Sequence, residues 1–294
     1  MKKVAFVIYR GWAYEIYENI LKFQNDRPGF EVSALITTKE AEFEVKESDL
    51  TKVYKVDGKD NEKIDSIISD NKIDVVFYYG WSWIVKEPIL SKYLCLCLHP
   101  SPLPKYRGGS PIQNQIIAGE KMSAVSVFKI GEGLDDGDIY QSKPMSLDGD
   151  LKDIFNRMTD LGTDITKNFI IDLINDEVIL KPQLDLEGNP PLKRRKKEDS
   201  EIKLSSLPEM SYESFNNIVR ALADPYPNAY LVFGNKKVLL KESEKFSSVS
   251  DGSILNVDEK EFTISDNNPF YIKLKDGYAL VKRYSLEEFT SDTQ

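Results

Sequence analysis

The chain has 294 residues, 41% hydrophobic and 30% charged, with a net charge of −9 from 39 basic and 48 acidic side chains. Such a composition fits a globular chain with room for one large domain and a smaller one, and excludes a disordered or fibrous protein. No apolar run approaches the roughly 18–20 residues of a helical membrane span, and an acidic chain gains no long-range attraction to nucleic acid.

Residues 4–9 form a continuous apolar run and predict a first strand; the run is too short for a signal peptide. Residues 12–23 carry apolar side chains at helical spacing. Residues 30–37 read as a strand and 53–56 as a shorter one. Residues 60–71 read as a helix with Ile64, Ile67 and Ile68 on one face. Residues 73–79 and 93–99 are buried strands, a helix opens near Pro111, and 124–130 is a further strand. Residues 151–175 are the clearest helix, with Leu151, Ile154, Met158, Ile165 and Phe169 in one stripe. This alternation predicts an α/β fold, a doubly wound parallel sheet with helices on both faces.

The texture changes near residue 187, where Glu187-Gly188-Asn189-Pro190-Pro191 breaks regular structure. A basic run, 193–197, reads equally as a solvated linker or a functional patch. A helix over 212–223 and short strands at 231–233, 237–240, 253–257, 261–264, 270–274 and 279–281 predict a small β-rich barrel. The expected organisation is a domain over 1–188, a linker over 189–202 and a C-terminal domain over 203–294.

The two cysteines, Cys95 and Cys97, stand two apart on one strand, about 6.6 Å along the backbone, poor spacing for a disulfide. With no cysteine framework, the cytoplasm is the expected compartment. No metal site of the usual Cys- or His-rich kind is expected. His99 is the only histidine and the obvious candidate for proton transfer near neutral pH. It ends a buried strand, where a doubly wound sheet binds ligands. A lone histidine is also often a packing residue, but the loop that follows, Pro100 to Ser110, is rich in proline and glycine and suits a site. Gly131-Glu132-Gly133-Leu134-Asp135-Asp136-Gly137-Asp138 follows another strand. It is either a polar turn or the source of a carboxylate that makes His99 a better base. Arg10-Gly11-Trp12 ends the first strand without Gly-x-Gly-x-x-Gly, so no dinucleotide cofactor is expected. Arg10 either meets substrate phosphate or caps surface charge.

His99, Ser101-Pro102-Leu103-Pro104-Lys105-Tyr106-Arg107-Gly108 and Leu134-Asp135-Asp136-Gly137 together resemble the formyltransferases that use N10-formyltetrahydrofolate. The basic segment 193–200 is similar to the stretch joining that family's two domains, and Val219 to Ala229 to its first C-terminal helix, so the resemblance covers nearly the whole chain. It implies a Rossmann-like sheet followed by an OB-like domain, and a formyl group passed from N10-formyltetrahydrofolate to an amine. It implies His99 as acid and base, and Asp135 as its supporting carboxylate. The residues 77–84 and 108–114 resemble the sugar N-formyltransferase branch, which acts on nucleotide-linked (here dTDP) amino sugars in bacterial surface polysaccharide (O-antigen) synthesis.

In that reading Trp81, Ser82, Trp83, Ile84, Gly131, Gly133, Leu134 and Arg107 contact the folate, and Arg10, Trp12, Ser101, Lys105, Gly109 and Gln113 the sugar nucleotide. A homodimer and no nucleic-acid partner are also implied. Cys97 stands where the family has Asn, an oxyanion donor, and a thiol donates more weakly. Cys97 either does that work in reduced form or is plain core, with a backbone N–H or His99 taking over. The alternatives are a methionyl-tRNA formyltransferase and a folate-binding homologue with impaired catalysis. A hydrolase releasing formate is a weaker one.

Overall fold

A computed structural model describes residues 1–45, 51–248, 254–255 and 269–288. The chain forms two compact units. The first comprises Met1–Pro111, Met122–Asp148 and Lys152–Leu192; the second Ile112–Lys121, Gly149–Leu151 and Lys193–Gln294.

The first unit is built on a seven-stranded sheet. Its strands are β1 (Lys2–Ile8), β2 (Phe30–Thr37), β3 (Lys52–Lys55), β4 (Val75–Tyr79), β5 (Leu94–His99), β6 (Met122–Lys129) and β7 (Ile139–Ser146), in the order β3-β2-β1-β4-β5-β6-β7. The helices are α1 (Gly11–Asp26), α2 (Asn61–Asp70), a short α3 (Ile89–Lys92) and the long α5 (Leu151–Asn175). Between α3 and α5 lies α4 (Pro111–Ile117), most of which belongs to the second unit. The five strands β3 to β5 run parallel, and β4 and β1 are buried along most of their length. Strands buried on both faces read as unbroken apolar runs, which is why they stand out in the sequence.

The sheet departs from the all-parallel expectation at β5. There β6 pairs antiparallel, His99 opposite Ser126, and β7 pairs antiparallel with β6. Strand β7 has no apolar run. It is an edge strand, mostly half-buried or exposed, with Pro144 in it, so neither periodicity nor β propensity marks it. Helix α5 approaches the sheet closely at Gly162, where a Cβ would lie 2.5 Å from Leu98 Cδ1 and 2.9 Å from Ile16 Cδ1. A larger residue there would have to displace the ends of the Leu98 and Ile16 side chains.

The second unit holds α6 (Tyr212–Ala221) and a five-stranded sheet. Its strands are β8 (Ala229–Phe233), β9 (Lys236–Phe246), β10 (Ile254–Leu255), β11 (Phe270–Leu274) and β12 (Gly277–Glu288), in the order β10-β11-β12-β9-β8. Strands β9 and β12 run well beyond the expected 237–240 and 279–281. The added part of β9 pairs with Tyr278–Arg283 and the added part of β12 with Lys236–Leu240, with register shifts near Arg283. The added parts carry many charged side chains and no apolar alternation, so cross-strand pairing extends the strands where the sequence pattern gives no signal. The expected strand 261–264 lies outside the described residues, as does most of 253–257. No described helix is long and apolar enough to cross a membrane.

Candidate active site

The strand ends of the parallel half set the site. Strand β5 delivers His99 to its C-terminal end, and Asp135 reaches it from the loop that follows β6. His99 Nδ1 lies 3.4 Å from Asp135 Oδ2, with both side chains largely buried. Asp135 has φ +51°, a left-handed conformation that a side chain seldom adopts. That twist turns its carboxylate inward, where Oδ2 also accepts from Gly108 N at 2.8 Å.

The other ring nitrogen is engaged too. His99 Nε2 lies 2.9 Å from the carbonyl oxygen of Tyr106, itself at φ +59°. Because a carbonyl only accepts, Nε2 carries the proton in this contact. A doubly protonated ring would satisfy both Tyr106 and Asp135. At 3.4 Å the Nδ1–Oδ2 pair is longer than a charge-assisted hydrogen bond.

The Pro-Gly loop is held by side chains expected to face ligands. Ser101 is fully buried; its hydroxyl donates to Lys105 O at 2.7 Å and its carbonyl accepts from Ser126 Oγ at 2.7 Å. Arg107 is buried and spends its guanidinium on backbone carbonyls: Asn189 at 2.9 and 3.1 Å, Leu186 at 3.0 Å and Leu134 at 3.3 Å. Both, expected as binding residues, brace the loop through these bonds. Gly109 N donates to Leu192 O at 2.8 Å, while Lys105 is exposed. Gln113 is buried on α4, within the second unit, and its Nε2 has no hydrogen-bond partner among the described residues.

The glycines of 131–138 are explained by a neighbour that the sequence reading passed over. A Cβ at Gly131 or Gly133 would fall 2.5 or 2.1 Å from the Asp136 carboxylate, and one at Gly137 only 1.8 Å from Lys129 O. Asp136 thus occupies the hollow of its own loop, and Gly137, against a backbone carbonyl, is required by folding whether or not it touches a ligand. Leu134 stays 55% exposed.

Cys97 pairs across the sheet with Tyr78 and Phe128 and is partly buried. Burial first, then the nearby Asp135 carboxylate, push its thiol well above the ordinary range, and it makes only a 3.7 Å contact to Leu98 O. It is a neutral thiol beside the His99–Asp135 pair. Cys95 is buried in the apolar core, where burial pushes its thiol up to about 12. Both are free cysteines.

The neighbouring strand ends carry the second group of expected residues. Gly80, at φ +63°, follows β4; a Cβ there would meet Arg10 at 2.8 Å and Trp12 at 3.0 Å. Trp81 and Trp83 pack together at 4.8 Å between ring centroids and both meet Tyr9 edge-on, while Tyr9 Oη and Ser82 Oγ lie 2.6 Å apart. Trp83 also lies over Gly58, where any Cβ would strike the indole. Ile84 is 76% exposed. Arg10 pairs with Glu42, whose carboxylate also reaches Gly11 N at 3.4 Å, and its guanidinium lies over the Tyr9 ring.

Sequence reading missed Gln183, Asn189, Leu186 and the Tyr106 carbonyl. Three of these act through backbone oxygens, which leave no signature in residue type. Among the described residues, no cluster of His, Cys, Asp or Glu could hold a metal ion.

A strand-end His–Asp pair beside a Pro-Gly loop, on a Rossmann-like sheet followed by a smaller β-rich unit, is the architecture of the formyl transferases, and the chain belongs to that family. The formyl transferase model matches residues 25–170, and the formyl transferase C-terminal domain model residues 195–284. Among sequence relatives, a methionyl-tRNA formyltransferase of Wolbachia pipientis is 32% identical over 222 residues, 74% of this chain and 66% of the relative. One from Rickettsia bellii is 29% identical over 67% of this chain and 64% of its own. The chain thus spans a little under two thirds of these relatives.

Among solved structures, methionyl-tRNA formyltransferase from Clostridium thermocellum has a TM-score of 0.62 at 23% identity, covering 83% of this chain and 93% of its own. A 4-N formyltransferase from Francisella tularensis has 0.64 at 17%, covering 78% and 92%. HypX from Aquifex aeolicus, in complex with tetrahydrofolic acid, has 0.65 at 16%, covering 96% and 43%. These likenesses concern the fold.

Proposed function

We propose that the chain transfers a formyl group from N10-formyltetrahydrofolate to the amine of a nucleotide-linked amino sugar. The observation that carries this reading is the 3.4 Å approach of His99 Nδ1 to Asp135 Oδ2 at the end of β5. The residues present fit a flat heteroaromatic group. Trp81 and Trp83 form an aromatic wall, and Ile84 and Leu134 leave large apolar side chains uncovered at strand ends. The folate, when bound, supplies the one-carbon unit and departs as tetrahydrofolate.

The amine nitrogen forms a bond to the formyl carbon, and the bond from that carbon to N10 breaks. His99 takes a proton from the amine and returns one to the departing N10. Asp135 orients the ring and accepts from Nδ1–H when the ring is doubly protonated. The braced loop holds the reacting groups in contact, and no covalent intermediate with the protein is needed. Cys97 lies beside this pair as a weak donor.

A sugar acceptor is favoured by charge: residues 203–294 hold 11 Lys and Arg against 14 Asp and Glu, a poor surface for tRNA. Methionyl-tRNA is the second reading, favoured by the names of the sequence relatives. The test offers formyl-folate with dTDP-, UDP- and GDP-linked amino sugars and, separately, charged initiator tRNA, reading products by mass. Formylated sugar is the expected result. Formylation of the tRNA alone overturns the acceptor, and folate binding with no transfer to either overturns catalysis.

A further inference from the structure

The segment after α5 supplies no group to the proposed chemistry, yet it grips both loops that do. Lys181 and Ile139 exchange two backbone hydrogen bonds of 2.8 Å, which fixes the chain two residues before Gln183. Gln183 is buried, and its Nε2 donates to Asp135 O at 2.9 Å and to Gly137 O at 2.8 Å. These two carbonyls bracket Asp136. On the other side Arg107 Nη1 donates to Leu134 O. A residue at φ +51° does not hold that conformation unaided, so the surroundings must fix it. Both N–H groups of one amide do so at residues 135 and 137.

We propose that Gln183 is a positioning residue: by holding the carbonyls of Asp135 and Gly137 it keeps the Asp135 carboxylate against His99. The proposal rests on the reading of His99 and Asp135 as the reacting pair. Replacing the amide by a hydrocarbon takes both N–H groups away from two half-buried carbonyls, and the strained peptide relaxes toward another conformation. A shift of about 1 Å in a group that orients a reacting side chain costs on the order of 10² in rate.

His99 is the only histidine, so the ring nitrogen signals of 15N-histidine protein are unambiguous. They are recorded for the full-length wild type, Gln183→Leu, Asp135→Asn and the double variant, with circular dichroism confirming the fold. Gln183→Leu should move the Nδ1 signal toward its position in Asp135→Asn, and should move it no further in the Asp135→Asn background. Gln183→Glu, nearly the same shape without the N–H groups, should reproduce the shift, which covers poor folding of the leucine variant.

In turnover, Gln183→Leu should lower kcat roughly 10²-fold while KM for formyl-folate stays within about threefold. That loss should vanish when Asp135 is already Asn. An unmoved Nδ1 signal in folded variants, or losses that multiply independently of Asp135, overturns the proposal. If the wild type transfers no formyl group, the proposed function fails, while the ring signals still decide whether Gln183 positions Asp135.

Discussion

The ends of β4 and β5 lie side by side and are made in opposite ways. Beyond β4 the contacts are rings on rings: Tyr9, Trp81 and Trp83 meet at 4.8–6.2 Å, joined by the single hydroxyl contact to Ser82. Beyond β5 the contacts are hydrogen bonds of 2.7–3.3 Å from Ser101, Ser126, Arg107 and Gly108, most of them ending on backbone carbonyls. Ring contacts are broad and tolerant of sliding, so they suit holding a flat ligand. Hydrogen bonds are directional and fix atoms, so they suit holding His99 and Asp135 in register.

The sharpest break in that comparison is His99→Asn. It should reduce formyl transfer by about 10³-fold or more with folding intact, measured by product formation at saturating substrates. Next is Arg107→Leu, which strands the carbonyls of Leu134, Leu186 and Asn189. A stability loss of about 2–4 kcal/mol in urea unfolding is expected, and none would show the brace is dispensable.

Cys97→Asn supplies a better donor beside the pair and should raise turnover about tenfold in kcat; a fall would mean that Cys97 serves packing alone. Cys95 gives a control within the same strand. Burial pushes its thiol up to about 12. Above about pH 9 the unfolded chain therefore releases a proton that the folded chain retains, and stability falls as pH rises, by about 1.4 kcal/mol per pH unit. Below that range the contribution is fully present. Cys95→Ser should make the alkaline limb of unfolding midpoints, measured from pH 8 to 11, shallower by that one group's slope, with Cys97 still contributing its own. The smallest effect falls on the aromatic side: Trp83→Ala should raise KM for formyl-folate about fivefold with kcat nearly unchanged, in steady-state assays.

The legible parts of the chain are those where burial writes a period. Phe30–Thr37, Leu151–Asn175 and Phe270–Leu274 appear in the structure with the bounds the pattern gives. Strand β7 stayed hidden because Gln141, Ser142, Lys143 and Pro144 form no apolar face. The antiparallel turn at β6 stayed hidden because strand direction is set by partners. At the site, His99 stands out as the only histidine, at a strand end, and Asp135 through the motif resemblance; the structure brings the two within 3.4 Å. The roles of Ser101, Arg107 and Gln183 could not be read from the sequence, since each is defined by a carbonyl that lies across the fold. Asn189 and its neighbours read as a breaker before a linker, yet the first unit extends through Leu192 and those residues brace its loops.

Pro144 in β7 has a use beyond breaking the pattern. The last strand of a sheet invites a stranger's backbone to pair with it. Here its start is already bridged to Lys181, and Pro144, near its finish, has no amide hydrogen to give. The opposite border, β3, is only four residues long. Both borders of the sheet therefore leave little unpaired backbone for another copy's strand to extend.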